Sequence, residues 1–154
     1  MAVQPIPPGQ DAAIPYFAVR DANAAIDFYQ RAFAAQVLTR VGMPNGRIGH
    51  AELAIGNARF MLADEFPDMG FLSPESIGGT PVTIHVYVPD VDSFIQTALA
   101  AGLKELRGLQ NQFYGERSGS FKDPFGHIWN FATHIEDVPS DEIERRAAAM
   151  FGSA

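Results

Sequence analysis

The chain has 154 residues, a formal net charge of −7 and no cysteine, which excludes disulfides, thiolate metal sites and cysteine nucleophiles. Apolar residues make up 47% and charged residues 19%, the balance of one globular domain. The 11 lysines and arginines form no long run, so nucleic acid is not an expected partner. No apolar run is long enough to span a membrane and no signal peptide is evident, so we expect a cytoplasmic protein without a membrane partner.

The first half of the chain predicts one β-α-β-β-β unit. A β-like run at 14–19 precedes Asp21, a good helix N-cap because its carboxylate can accept bonds from the free amides of the first turn. Apolar residues then recur at helical spacing as far as Phe33. Three further strands are predicted at 36–41, 47–55 and 58–63. Gly56-Asn57 lies between the last two and is typical of a hairpin turn.

The second half repeats this order of elements. A strand at 82–88 is followed by Asp90 as N-cap and by a helix that ends at Gly102. Strands are then predicted at 104–109, 116–122 and 127–134. The sequence Asp123-Pro124-Phe125-Gly126 forms the turn between the last two. The same offset of 69 positions separates Asp21 from Asp90 and Ile26 from Ile95, which indicates an internal repeat.

These patterns divide the chain into five segments of a single domain. They are an N-terminal arm (1–11), a first unit (12–63), a linker loop (64–80), a second unit (81–135) and a C-terminal helix (136–154). Two interpretations of the last segment stay open. Its charged residues fit a solvated surface helix, and its position at the end of the chain also suits packing at a subunit interface.

Several motifs resemble those of the vicinal oxygen chelate superfamily, which includes glyoxalases and bleomycin-resistance proteins. Ala25-Ile26-Asp27-Phe28-Tyr29, after Asp21, resembles the start of its helix, and Phe121 to His127 resembles its D-P-x-G hairpin. The segments His50 to Leu53, Met61 to Glu65 and Gln112 to Gly119 resemble the PhnB-like branch. The resemblance implies an α+β fold in which two tandem βαβββ units form a curled mixed-sheet cup. It also implies a homodimer, since such cups commonly pack in pairs.

In metal-dependent members of this superfamily, four cup side chains hold a divalent ion. Alignment by motif places those positions at Ile14, Met61, Thr83 and Asn130. Such ions prefer imidazole and carboxylate ligands, and none of the four residues supplies one. We therefore expect no metal or other cofactor. An alternative is a displaced divalent metal at His50, Glu52 and His85.

Alternation of side chains along each strand predicts which residues line the cup. The predicted ligand-binding residues are Tyr16, His50, Glu52, Met61, His85, Tyr87, Arg117, Phe121 and Asn130. Two roles stay open for Arg117: pairing with an anionic group of the ligand, or a salt bridge to Glu116 or Glu52. Two also stay open for Tyr16, Tyr87 and Phe121: stacking on a flat part of the ligand, or packing in the core. The residue Trp129 has the opposite parity and is expected to pack against a helix. The residues His127 and His134, near strand ends, are expected to be exposed.

Three roles stay open for His50, Glu52 and His85: a hydrogen-bonded cluster that steadies the sheet, direct contact with a ligand, or the displaced metal site. Two functions follow from this lining. The first is a metal-free protein that binds a small organic molecule in the cup, as bleomycin-resistance proteins do. The second is a lyase, isomerase or transferase of the superfamily that uses a rearranged His/Glu site. The sequence names no ligand.

Overall fold

The computed structural model describes residues 3–152. Its first unit contains β1 (Tyr16–Val19), α1 (Ala22–Phe33), β2 (Gln36–Gly42), β3 (Ile48–Ile55) and β4 (Ala58–Asp64). A 3-10 turn (Pro67–Met69) and the short helix α2 (Pro74–Ile77) connect it to the second unit. The second unit contains β5 (Thr83–Tyr87), α3 (Val91–Ala101), β6 (Lys104–Asn111), β7 (Glu116–Lys122) and β8 (Ile128–His134). Helix α4 (Ser140–Phe151) follows.

The two long helices begin and end where the sequence predicts. The carboxylate of Asp21 accepts a hydrogen bond from the Ala24 amide, and that of Asp90 accepts one from the Ser93 amide. Gly102 ends α3 in the left-handed region at φ 117°, a conformation that glycine adopts without steric cost. Both N-cap predictions and the end of α3 are therefore confirmed.

The strands form two four-stranded mixed sheets, in the orders β1-β4-β3-β2 and β5-β8-β7-β6. In each sheet the first strand runs parallel to the last strand of its unit, and the remaining pairs are antiparallel. The tight turn at Gly56-Asn57 pairs Ile55 with Ala58, as predicted. The two tandem βαβββ units and the α+β fold class are thus confirmed.

One aromatic core joins the two units. The side chain of Trp129, on β8, is fully buried. Its ring lies 5.6 Å from that of Tyr29 on α1 and 5.5 Å from that of Phe60 on β4. Across the same core, Phe33 of α1 stacks on Phe94 of α3. The core therefore lies between the helices and one face of each sheet, and the opposite faces are left to carry the polar residues.

Two buried aspartates fix loops at the edge of this core. Asp64 accepts hydrogen bonds from the amides of Ala22 and Ile48. Asp123 accepts from the Tyr29 hydroxyl at 2.6 Å and from the Trp129 indole at 2.9 Å. It also accepts from the amides of Phe125 and His127. Burial, reinforced by the adjacent Asp123, raises the pKa of Tyr29, which remains a hydrogen-bond donor at neutral pH.

The environment of His127 differs from the prediction. Its side chain is buried, and its Nε2 lies 2.9 Å from the carbonyl oxygen of Ala18 on β1. Since a carbonyl only accepts, Nε2 carries the proton. The expectation of an exposed His127 is therefore wrong, because the β7–β8 turn folds against the first unit. By contrast, His134 is exposed as expected.

Helix α4 lies on the surface, and none of its residues is buried. Arg146 attaches it to the second unit by donating to the Phe113 carbonyl and to the Glu136 carboxylate. Met150 and Phe151 remain exposed at its end. No helix within residues 3–152 is both long and apolar enough to cross a membrane.

Candidate functional site

Each sheet has one face against the aromatic core, and we call the opposite face its open face. The open face of the first sheet carries four of the predicted site residues. Met61 lies opposite Tyr16 in the β1–β4 ladder and opposite Glu52 in the β3–β4 ladder. Because alternate residues of a strand share a face, His50 lies on the same side as Glu52. The prediction that His50, Glu52 and Met61 share one face is confirmed.

On this face, the negative charge of the Glu52 carboxylate is already balanced by an arginine. Its side chain is buried and forms an ion pair with Arg59 at 2.9 Å. The Gln10 amide donates to both of its oxygens, at 2.9 and 3.1 Å. Neither partner is among the predicted site residues. Arg59 could have been found, because it lies two residues from Met61 on β4 and so shares its face. Gln10 lies in the arm, 42 residues before Glu52, and no strand pattern relates the two. Glu52 thus belongs to a hydrogen-bonded cluster.

An aromatic groove adjoins this cluster. The Tyr16 hydroxyl lies 2.8 Å from Nδ1 of His50, and the Tyr16 ring meets Phe71 edge-on. Burial raises the pKa of the Tyr16 hydroxyl, so it is protonated at neutral pH. The groove has a volume of about 450 Å³. Its lining includes Tyr16, Phe66, Met69 and Phe71.

The open face of the second sheet holds a further cluster. His85 lies opposite Asn130 in the β5–β8 ladder, and Tyr87 follows two residues later on the same face. The Tyr87 hydroxyl donates to Glu116, and Nε2 of His85 lies 3.8 Å from the same carboxylate. This hydrogen bond raises the pKa of Tyr87, with burial as a lesser cause. We call His85, Tyr87, Glu116 and Asn130 the Glu116 cluster.

Asn130 has an unsatisfied acceptor. Its Oδ1 is buried and has no hydrogen-bond partner among residues 3–152. Buried polar atoms in native proteins almost always have a partner, in the protein or in bound solvent or ligand. Asn130 is therefore the residue on this face with an unused capacity for binding.

Grooves run from this cluster along β5. One, of about 310 Å³, is lined by both Arg59 of the first sheet and His85 of the second. A larger groove of about 880 Å³ is lined by His85 and Tyr87, the start of α3 and the Gly56-Asn57 turn. Arg59 of the first sheet and His85 of the second therefore line one shared groove.

Two predicted site residues, Arg117 and Phe121, do not lie on the open face. In the β7–β8 ladder Phe121 pairs with Trp129 and Arg117 pairs with Thr133, so both point to the core side of the sheet. Phe121 is fully buried. The guanidinium of Arg117 binds both oxygens of Asp92 on α3, at 2.7 and 2.8 Å. Their predicted placement in the cup is wrong.

The cause is the length of the β7–β8 turn. Lys122 pairs with Ile128, which leaves five residues in the turn instead of the predicted four. His127 is the extra turn residue, and Gly126 before it takes a left-handed conformation at φ +93° that favours glycine. A shift of one residue moves every side chain of a strand to the opposite face. The residues that face Asn130 are consequently Glu116, Ser118 and Ser120, and none of the three is among the predicted site residues.

Comparison with known proteins agrees with this fold. A family model described as the glyoxalase/bleomycin resistance protein/dioxygenase superfamily matches residues 13–131. The chain belongs to this superfamily. An uncharacterized protein of Mycobacterium tuberculosis is 44% identical over 138 residues, covering 88% of this chain and 81% of that protein. An uncharacterized protein of Mycobacterium bovis has the same identity, covering 88% and 91%.

Solved structures of other proteins share the architecture. TioX from Micromonospora sp. ML1 has a TM-score of 0.64 and 27% identity, covering 84% of this chain and 100% of that one. The fosfomycin resistance protein FosX from Mesorhizobium loti has a TM-score of 0.56 and 17% identity, covering 80% and 92%. At that identity the likeness to FosX concerns the fold alone.

The metal positions of the glyoxalase superfamily do not fit a divalent ion in this chain. Ile14 has no donor atom, Met61 offers a soft thioether, and Thr83 and Asn130 are neutral. In the alternative set of His50, Glu52 and His85, the carboxylate of Glu52 is already bound by Arg59 and Gln10. Within residues 3–152, no three His, Cys, Asp or Glu side chains are grouped closely enough to share a metal ion.

Proposed function

We propose that this member of the glyoxalase superfamily is a metal-free protein that binds a small organic molecule on the open faces of its sheets. The observation that carries the proposal is the buried Oδ1 of Asn130, which has no partner within residues 3–152. Asn130 stands at a position where metal-dependent relatives have a residue that coordinates the metal. An amide oxygen at this position can accept a hydrogen bond from an organic group.

The composition of the grooves supports this function. Small-molecule sites commonly combine apolar walls with a few placed polar groups, in volumes of about 300–1,000 Å³. The groove beside Tyr16 and Phe71 measures about 450 Å³, and the groove beside His85 and Tyr87 about 880 Å³. The ligand-contacting residues in this proposal are Tyr16, His50, Met61, His85, Tyr87, Glu116 and Asn130.

We place the chain in the PhnB-like branch as part of the same proposal. Its basis is the motif resemblance, together with a similar fold in a putative 3-demethylubiquinone-9 3-methyltransferase, a PhnB protein from Bacillus cereus. That structure has a TM-score of 0.58 and 16% identity, covering 80% of this chain and 99% of that one. At this identity the comparison supports the fold, and the motifs support the branch.

We also propose a homodimer. Strands β1 and β5 are edge strands whose outer sides pair with no strand within residues 3–152. Unpaired edges are usually covered in native proteins. The exposed apolar residues Val41 and Leu106 lie on β2 and β6, the other edge strands, and a second copy would cover them. Light scattering that gives twice the chain mass at micromolar concentration supports this, and a monomer mass contradicts it.

An enzymatic function is the second candidate, favoured by one observation. His85 and Glu116 lie 3.8 Å apart on an accessible face, an arrangement in which a carboxylate can orient an imidazole as a proton acceptor. The reaction class would be that of a lyase, isomerase or transferase acting by proton transfer. Turnover of a bound ligand that is lost in His85→Gln, with binding retained, would favour this candidate over simple binding.

The binding function is tested by an NMR screen of small aromatic compounds on the ¹⁵N-labelled protein. A binder should shift the amides of β5, β7 and β8 around Asn130, and Asn130→Leu should weaken its binding. Gln30→Leu, the same kind of amide-to-leucine change on the exposed side of α1, serves as the control. A complete absence of binders, or shifts confined to α4, contradicts the proposal.

A further inference from the structure

The carboxylate of Glu116 is largely removed from water, with a histidine but no lysine or arginine of the described residues beside it. Its side chain is only 12% exposed. It accepts a hydrogen bond from the Tyr87 hydroxyl and lies 3.8 Å from Nε2 of the His85 imidazole. Among residues 3–152, no lysine or arginine nitrogen lies within 4.0 Å of it. Removing a carboxylate from water is costly unless a donor or a positive charge compensates for it.

The basic residues nearby in the chain serve other partners or lie apart. Arg117, the next residue along β7, points to the opposite side of the sheet and is held by Asp92. Arg107 is exposed and lies opposite Ser120, on the face of Asn130 but four residues along β7 from Glu116, and it forms no ion pair with Glu116. The contrast with Glu52 is direct, because that carboxylate is bound by Arg59 and Gln10. Of these two largely buried carboxylates, Glu116 is the one that has no arginine or lysine partner within residues 3–152.

The other groups of the cluster also favour a ligand that donates hydrogen bonds. The unpartnered Oδ1 of Asn130 is an acceptor on the same face, and the hydroxyl of Ser120 lies beside it in the ladder. The rings of His85 and Tyr87 stand 5.0 Å apart at 62° and provide two aromatic surfaces that a ligand ring can contact. A carboxylate and an amide oxygen next to aromatic rings suit a cation attached to a planar group.

We propose that the Glu116 cluster binds the positively charged nitrogen group, an amine or amidine, of a small aromatic ligand. This inference rests on the proposed binding function and specifies its ligand class. It reverses the charge predicted from sequence, where Arg117 on the open face implied an anionic ligand. With Glu116 in that place, the charge that the site accepts is positive.

Three probes of nearly the same size separate the possibilities: benzamidine, benzamide and benzoate, which are cationic, neutral and anionic. We expect benzamidine to bind most tightly. We expect Glu116→Gln to weaken benzamidine binding about tenfold or more and to remove its advantage over benzamide. The control Glu144→Gln, the same charge change on the exposed surface of α4, should leave the dissociation constant within about twofold.

A second measurement uses the wild-type protein, so the result does not depend on the folding of a variant. Benzamidine should shift the amides of residues 85–87, 116–120 and 130 in ¹⁵N NMR spectra. Tighter binding of benzoate, unchanged binding of benzamidine in Glu116→Gln, or shifts elsewhere would overturn the cation inference while leaving small-molecule binding intact. Failure of all three probes, together with an empty wider screen, would overturn both.

Discussion

Asn130 lies opposite Ser120 in the β7–β8 ladder, and not opposite Phe121. This single register decides the character of the open face on the second sheet. It places Glu116 beside Tyr87 and His85, and it turns Arg117 toward α3. Where the sequence predicts the guanidinium of Arg117, this face therefore carries the carboxylate of Glu116.

Replacing Arg117 should leave ligand binding unchanged, because its guanidinium is held by Asp92 on the other side of the sheet. Its hydrogen bonds lower the pKa of Asp92. In Arg117→Ala, NMR titration should find the pKa of Asp92 nearer its ordinary value, and any ligand of the wild type should bind as before. A marked loss of affinity would mean that the side chain reaches the open face.

Much of the fold could be predicted, because its signals are local. Asp21, Asp90 and Gly102 mark helix ends through bonds to the nearest turns. The Gly56-Asn57 turn sets the β3–β4 register, and hence the shared face of Glu52 and Met61. In each of these cases the interacting groups lie within a few residues or are fixed by a two-residue turn.

The errors in the site have non-local causes. The offset of 69 residues relates the pair Tyr16 and Met61 in the first sheet to the pair His85 and Asn130 in the second. It does not relate the strands before β4 and β8, because the turn before β8 is longer than the turn before β4. Gly126 allows that turn to form. It packs so closely on Pro74, in the connection between the units, that a Cβ atom at this position would lie 2.8 Å from the Cβ of Pro74. The bond from Gln10 to Glu52 joins segments that no periodic pattern relates.

Asp123→Ala should strongly destabilise the fold. The buried carboxylate accepts from Tyr29, Trp129 and two amides of its own turn, and these donors would lose their partner. We expect a loss of roughly 2–4 kcal/mol in the free energy of unfolding, measured by urea denaturation. Asp68→Ala, at an exposed aspartate, should change it by less than about 0.5 kcal/mol. Equal effects of the two variants would contradict the role of Asp123.

Arg59→Ala should also destabilise the protein, because it leaves the buried carboxylate of Glu52 with only Gln10 as a partner. The expected loss is about 1–3 kcal/mol. Adding Glu52→Gln to Arg59→Ala should recover part of it, since the unpaired charge is then removed. A double variant less stable than the sum of both single changes would rule out this account of the pair.

Glu65 should make stability depend on acid pH. The Ser73 amide, with help from hydroxyls and Arg20, lowers the pKa of Glu65. A carboxylate with a depressed pKa adds stability above its unfolded-state pKa, and that contribution is lost as pH falls through its folded-state pKa. Glu65→Gln should therefore be less stable than wild type at neutral pH, and the gap should narrow in acid. Glu144→Gln, at an exposed glutamate of α4 that forms no ion pair within residues 3–152, is the control, and its stability should differ from wild type equally at both pH values.

The most direct test of metal-free binding compares the affinity of one aromatic ligand before and after exhaustive treatment with a chelator. The residues at the superfamily's metal positions, Ile14, Met61, Thr83 and Asn130, do not suit a divalent ion. We predict the same dissociation constant for treated and untreated protein, with amide shifts around Asn130 in both. Loss of binding after chelation, restored by added divalent metal, would contradict the account.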